Sequence, residues 1–103
     1  MHEVSIAQAV LSRVAREAEA RGARGVRSVD LVLGELSGVD AELLARAFAA
    51  SELEVRIQEV AASWRCAACD ASAAGPRCAR CGGPARLATG GELLIERIEL
   101  EVP

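Results

Sequence analysis

The apolar positions of the first twenty residues recur at intervals of three and four. Over residues 5–21 they form one stripe, and charged residues occupy the opposite side. This spacing predicts an amphipathic helix whose stripe faces a core. Ser5 is the expected N-cap, with Gln8 placed to complete a capping box, and Gly22 and Gly25 are expected to end the helix. The predicted stripe consists of Ile6, Ala9, Val10, Val14 and Ala18.

Three later segments alternate apolar and polar residues, which predicts half-buried strands. They cover residues 26–33, 52–60 and 92–102. In the third segment the apolar positions change parity between Ile95 and Ile98, and a β-bulge near Glu96–Arg97 would return them to one face. The inward-facing residues of the first two strands are Val29, Leu31, Leu33, Leu53, Val55 and Ile57.

The region between the first two strands predicts a turn and a short second helix. Gly34 and Gly38 bracket the turn, and Asp40 can cap a helix that carries Leu43, Leu44, Ala47 and Phe48. Only Ala50-Ser51-Glu52 then separates the helical pattern from the next strand, whereas such connections usually take about 2–6 residues. Either the helix ends earlier than its pattern suggests, or the connection is unusually short.

Four cysteines lie in residues 64–88, a segment without periodicity that reads as an inserted lobe. Each C-x2-C pair can place two thiolates on one ion, and two pairs close a tetrahedral site that favours zinc. Two disulfides or a redox C-x-x-C are the alternatives, but a matched double pair favours metal. A closed four-thiolate site is structural, because it leaves no open position for a substrate. The ligands are Cys66, Cys69, Cys78 and Cys81.

These patterns predict an α+β fold in which two helices pack on a three-stranded sheet. A zinc-ribbon-like lobe is inserted before the last strand. We therefore expect an α+β domain from residues 1–63 plus 89–103 and a zinc-binding lobe from residues 64–88.

Charge and composition argue against nucleic acids and membranes as partners. The net charge is −3, the twelve basic residues are all arginine and are scattered, and Phe48 and Trp64 are the two aromatic residues. We therefore expect no nucleic-acid partner. No apolar run approaches the roughly 20 residues that span a bilayer, and the first residues do not resemble a secretory signal. These features favour a cytoplasmic protein without a membrane partner.

His2 is the one histidine in the chain. As a residue next to the chain end, its simplest interpretation is an exposed surface side chain. Its position also permits a chelate, because the α-amine, the His2 backbone amide and the imidazole can bind one ion through fused rings. Such a planar, nitrogen-rich donor set suits Ni(II) or Cu(II).

Together the motifs resemble those of the hydrogenase-maturation nickel metallochaperones of the HypA/HybF family. The resemblance rests on Met1-His2-Glu3-Val4-Ser5-Ile6-Ala7, on Leu33-Gly34-Glu35-Leu36-Ser37-Gly38-Val39, on the two cysteine pairs and on the closing strand, in this order. The chain departs from the family pattern in two places, since both the segment at residues 50–52 and the loop between the cysteine pairs are short.

The resemblance implies a function and a set of sites. His2, with the Met1 amine and Glu3 nearby, would hold Ni(II) for transfer, and the four cysteines would hold structural Zn(II). Partners would be a GTPase accessory maturation protein and the precursor of the [NiFe]-hydrogenase large subunit. Some members of the family also serve urease. A homodimer is a further possible assembly. Glu35, in a segment expected to form a structural turn, is a weaker candidate for partner contact.

Two other interpretations compete with metal delivery. One is a zinc-ribbon module that binds a protein partner without handling nickel, which would not require histidine at position 2. The other is an enzyme, which the sequence disfavours because no nucleophile lies beside a base and the strongest metal site is closed. We therefore expect no enzymatic activity.

Overall fold

The computed structural model describes residues 2–103 and contains two helices and six strands. The helices are α1 (His2–Ala20) and α2 (Ala41–Ala47). The strands are β1 (Gly25–Gly34), β2 (Glu54–Val60), β3 (Ser63–Cys66), β4 (Ser72–Ala73), β5 (Ala85–Thr89) and β6 (Leu93–Glu101).

Helix α1 starts earlier than the sequence pattern predicted. It begins at His2, so Ser5 lies inside the helix and the predictions of an N-cap at Ser5 and a capping box with Gln8 were wrong. The buried stripe consists of Glu3, Ala7, Val10, Val14 and Ala18, whereas Ala9, predicted to face in, is exposed. Because the stripe starts at Glu3, tertiary packing extends the helix past the local capping signal.

The end of α1 follows the predicted signal at Gly22. Gly22 has a left-handed φ of 62°, and the N–H of Ala23 donates to the carbonyl of Ala18 at 2.9 Å. This is the 6→1 bond of a Schellman motif. Gly25, predicted to help end the helix, instead opens β1.

The main sheet has the strand order β2-β1-β6. Strands β1 and β2 are parallel and are joined through α2, while β6 pairs antiparallel with β1. The predicted bulge in the last strand is confirmed: Asp30 faces Arg97 and the next residue, Leu31, faces Ile95, which leaves Glu96 as the extra residue.

Helix α2 ends earlier than its sequence pattern suggested, and this leaves room for the connection at Ala50-Ser51-Glu52. The Asp40 Oδ1 accepts a hydrogen bond from the Leu43 N–H at 3.0 Å, which confirms the predicted cap. The helix ends at Ala47, so residues 48–53 connect it to β2. Leu44 and Phe48 are buried, whereas Leu43 points outward and is 46% exposed.

The hydrophobic core lies between the two helices and the main sheet. Its buried members come from α1, β1 and α2 or its C-cap, and Leu53, Val55, Ile57, Ile95 and Ile98 pack around them. Burial of these aliphatic side chains removes apolar surface from water, the dominant favourable term in folding. The predicted α+β arrangement of two helices on a three-stranded sheet is confirmed. The buried members are Ala7, Val10, Val14, Val29, Leu31, Leu44 and Phe48.

The segment between β2 and β6 forms a second small sheet, in the order β4-β3-β5. The molecule is elongated, measuring 56 × 27 × 16 Å along its principal axes. Neither of the two described helices is long and apolar enough to cross a membrane.

Candidate metal centres

The four cysteines predicted as metal ligands come together at one place. Their Sγ atoms all lie within 4.8 Å of one another. Between the two motifs, the Sγ–Sγ distance is 3.4 Å from Cys66 to Cys81 and 3.8 Å from Cys69 to Cys78. A disulfide holds its sulfurs at about 2.0 Å, and all four residues are free thiols here. The alternative of two disulfides is therefore wrong for this structure.

Each cysteine pair is held by the same backbone turn. In the first, the Asp70 N–H donates to the Cys66 carbonyl at 3.1 Å; in the second, the Gly82 N–H donates to the Cys78 carbonyl at 2.8 Å. The N–H groups of Cys66 and Cys78 each donate to the carbonyl five residues ahead, at 2.9 Å in both cases. The two turns are thus related structural repeats, and each presents one buried and one exposed cysteine.

The environment of the thiols favours a shared cation. The backbone N–H of Cys69, and next that of Ala68, lower the pKa of Cys66 to about 6. The pKa of Cys69 moves the other way, to about 12: the N–H of Ala71 favours its thiolate, but the neighbouring Cys66 and partial desolvation outweigh that contact. Several thiolates cannot accumulate so close together without a compensating positive charge.

The geometry of the cluster fits a tetrahedral ion. With a zinc–sulfur bond of about 2.3 Å, the edge of a regular S4 tetrahedron is about 3.8 Å. The Cys66–Cys81 and Cys69–Cys78 separations are close to this length. Cys66 and Cys78 are each 2% exposed, so the protein itself covers one side of the cluster. Among the described residues, no histidine or acidic side chain joins the four cysteines, and His2 lies outside the group.

The predicted nickel residue, His2, is exposed at the first turn of α1. Its neighbour Glu3 is 7% exposed, and one oxygen of its carboxylate accepts the N–H of Asp40 at 3.1 Å. This bond joins the start of α1 to the N-cap of α2. The sequence analysis did not predict this contact between Glu3 and Asp40. The one signal available was the spacing of Glu3, which lies four residues before Ala7, a member of the observed buried stripe.

Glu35, predicted as a weaker candidate for partner contact, has an internal partner. Its Oε1 accepts the N–H of Ala62 at 2.7 Å, in the segment that connects β2 to β3. Its own N–H donates to Val60 at 2.8 Å, and the N–H of Leu36 donates to Gly90 at 2.7 Å. The turn after β1 therefore binds both segments that connect the two sheets, a function the local sequence did not reveal.

Comparison with known proteins places these features in a family. Residues 1–100 match the family model described as HypA, hydrogenase/urease nickel incorporation, metallochaperone. The chain is 33% identical over 113 residues to a hydrogenase maturation factor HypA of Chlorobaculum tepidum, covering 98% of this chain and 100% of that protein. It is 32% identical over 114 residues to that of Caldanaerobacter subterraneus subsp. tengcongensis, with the same coverage.

The fold is also similar to that of a solved HypA structure. The solution structure of the nickel metallochaperone HypA from Helicobacter pylori superposes with a TM-score of 0.73 and covers 98% of each chain. The two sequences are 18% identical, so this likeness concerns the architecture alone.

Proposed function

This chain belongs to the HypA family of hydrogenase/urease nickel-incorporation metallochaperones, and from that premise we propose that it binds Ni(II) at its N-terminus and delivers the ion during maturation of [NiFe]-hydrogenase. Delivery would take place in the cytoplasm, with a GTPase accessory protein and the hydrogenase large-subunit precursor as partners. The observation that carries the proposal is the family match over residues 1–100. The exposed position of His2 in the first turn of α1 supports it.

Nickel is the cargo at this end of the molecule. His2 supplies imidazole nitrogen and a backbone amide, and a free α-amine on Met1 supplies the third donor. Nitrogen ligands of this kind suit square-planar Ni(II). The Glu3 carboxylate adds negative charge beside His2, and its bond to Asp40 limits the freedom of the first turn. Glu3 is therefore a positioning residue in this proposal.

The four cysteines would hold Zn(II) as a structural ion in the lobe of residues 64–88. The near-tetrahedral spacing of their sulfurs supports this role. Zinc would neutralise the crowded thiolates and crosslink the two repeated turns. In small metal-binding lobes this binding energy is folding energy.

A short extension of the N-terminus tests the nickel site. Two residues, Gly-Ser, added before Met1 turn the primary amine into an amide and leave the imidazole in place. We expect at least tenfold weaker nickel binding in a calorimetric or competition titration, and a similar loss in His2→Ala. The same two residues added after Pro103 are the matched control and should leave nickel affinity unchanged.

The zinc content and the circular-dichroism spectrum should be equal in all four proteins. If the N-terminally extended protein binds nickel as tightly as the native one, the terminal chelate is wrong. If His2→Ala also binds nickel normally, the ion is held at another site. If the native protein binds no nickel, the zinc-ribbon interaction module without nickel handling is the better interpretation.

A further inference from the structure

The second sheet places two arginines directly opposite each other. Arg65 of β3 is the register partner of Arg86 of β5. Like charges at directly opposed positions destabilise an antiparallel pair, because the two side chains share one face with their Cβ atoms about 4.5–5.5 Å apart. The main sheet shows the favourable arrangement, since Asp30 of β1 pairs with Arg56 of β2 on one side and with Arg97 of β6 on the other. The second sheet therefore carries a charge conflict that the main sheet avoids.

A third arginine lies on the same face of the second sheet. Arg77 forms an antiparallel bridge with Pro84, which lies two residues before Arg86 in the chain. Since alternate residues of a strand share a face, Arg77 and Arg86 are diagonal neighbours, roughly 7 Å apart. Arg65, Arg77 and Arg86 are all exposed. These three residues form a surface that we call the arginine face.

Most of the charge on the arginine face is not balanced within the described chain. Arg65 donates to the Asp70 carbonyl at 2.7 Å and lies 3.6 Å from the Asp70 carboxylate, whose side chain is 76% exposed. An ion pair so open to water contributes little. No carboxylate of residues 2–103 pairs with Arg77 or Arg86. Two of the three guanidinium groups are therefore free to bind an anion.

The segment that carries this face differs in charge from the rest of the chain. Residues 64–88 contain four arginines and one aspartate, a net charge of +3 before the cysteines are counted, whereas the other residues contain eight arginines and fourteen carboxylates, a net charge of −6. Arg80 lies inside the second cysteine pair, where it offsets thiolate charge. Arg65 and Cys66 are successive residues of β3, so their side chains point to opposite faces. The arginine face is thus turned away from the thiolates.

We propose that the arginine face docks an acidic segment of a partner protein. Alternate side chains of an extended segment lie about 6.6 Å apart, a spacing comparable with that of the three arginines. A carboxylate matches the guanidinium group, which can bind it through two parallel hydrogen bonds. Bound carboxylates would also relieve the repulsion between Arg65 and Arg86. The proposal concerns this surface alone and does not depend on nickel binding.

A protein segment suits the arginine face better than a nucleic acid does. Proteins bind single strands through aromatic side chains on which the bases stack. The arginine face has no such side chain, because Trp64 lies with its register partners Ala73 and Leu87 on the opposite face. The net charge of −6 outside residues 64–88 repels a long polyanion. A short run of carboxylates can reach the three arginines without crossing that acidic surface.

A labelled octaglutamate peptide tests the arginine face on the full-length, zinc-loaded protein without nickel. Fluorescence anisotropy at low ionic strength should show saturable binding, which high salt should abolish by screening exposed charges. Arg86→Glu should weaken binding by about tenfold or more, because a partner charge becomes a repelling one. The matched control is Arg16→Glu on α1, an exposed arginine without an ion pair among residues 2–103. It changes the net charge equally, and its affinity should stay within about twofold of wild type.

Two further measurements separate binding from folding. Arg86→Glu turns the like-charge pair with Arg65 into an opposite pair, so this variant should keep its zinc and melt at the same temperature as wild type or higher. Arg86→Gln removes the charge without reversing it and should bind the peptide more weakly than wild type but more tightly than Arg86→Glu.

Four results would each overturn the proposal. They are a wild type that does not bind the peptide, equal losses in Arg86→Glu and Arg16→Glu, a zinc-loaded Arg86→Gln that binds normally, and tighter binding of an oligothymidylate with the same number of charges. The second result would show that only the overall charge matters, and the fourth would identify the face as a nucleic-acid site.

Discussion

At the scale of single residues, the two cysteine turns require the same unusual backbone at one position. Asp70 has a φ of 59° and Gly82 has a φ of 73°, and each follows the second cysteine of its pair. Side chains with a Cβ are disfavoured in this left-handed region by roughly 1–2 kcal/mol, and aspartate tolerates it better than most. The first turn thus accepts a strained residue where the second has glycine.

We expect Gly82→Ala to weaken zinc binding by about 5- to 30-fold, which corresponds to 1–2 kcal/mol. The space at Gly82 is open, since no atom lies within 4 Å of an added Cβ; the effect would come from the backbone alone. A zinc-chelator competition assay measures it. Gly75→Ala is the matched control, because that site is equally open but is not left-handed, and equal zinc affinities of the two variants would contradict the explanation.

At the scale of elements, strand β1 is confined at one end and free at the other. A Cβ at Gly34 would lie 2.2 Å from the carbonyl carbon of Gly90, whereas a Cβ at Gly25 would meet only a Glu101 side-chain oxygen at 3.9 Å. Gly90 belongs to the segment that returns from the second sheet. The end of β1 therefore packs directly on backbone, which cannot move as a flexible side chain can.

Gly34→Ala should destabilise the protein by about 3 kcal/mol, the upper part of the range for overpacking. For a chain of this size, that lowers the melting temperature by very roughly 12–24 °C. Thermal unfolding followed by circular dichroism gives the value. Gly25→Ala, at the other end of the same strand, should change the melting temperature by only a few degrees; similar losses for both variants would show that the close approach to Gly90 is not the cause.

At the scale of the whole molecule, the two sheets depend on different sources of stability. The buried core cluster draws its members from α1, β1, α2 and the α2 C-cap, and none from the sheet that carries the cysteines. That sheet has strands of only four, two and five residues. Because it contributes nothing to the buried cluster, we expect its order to rest on the bound ion.

Removal of zinc should therefore unfold the sheet of β3, β4 and β5 and leave the main sheet and the helices folded. Trp64, the one tryptophan, lies in β3 and reports on this part. With a strong chelator, its emission should shift to longer wavelength while the helical circular-dichroism signal of α1 and α2 persists. Cys66→Ala should reproduce the shift without chelator. A metal-free protein with unchanged Trp64 emission, or one that loses its helices at the same time, would contradict this division.

Several features could be predicted from the sequence because their causes are local. The four thiolates lie in pairs three residues apart, so their chemistry and convergence follow from spacing. The alternation of β1 and β2, the bulge at Glu96 and the cap at Asp40 are likewise visible within a few neighbouring residues. The same holds for the end of α1 at Gly22, where one glycine provides the left-handed turn.

Other features were decided by the tertiary structure. The start of α1 at His2 goes with the burial of Glu3, whose partner Asp40 is 37 residues away. Glu35 reaches Ala62 across 27 residues, and the requirement for glycine at position 34 comes from the backbone of Gly90. Such contacts join residues that are distant in the chain and leave no periodic pattern around either of them. The sequence by itself determined the ligand types and the element types, whereas only the packed fold determined which distant groups meet, because that depends on how the sheets and helices close on one another.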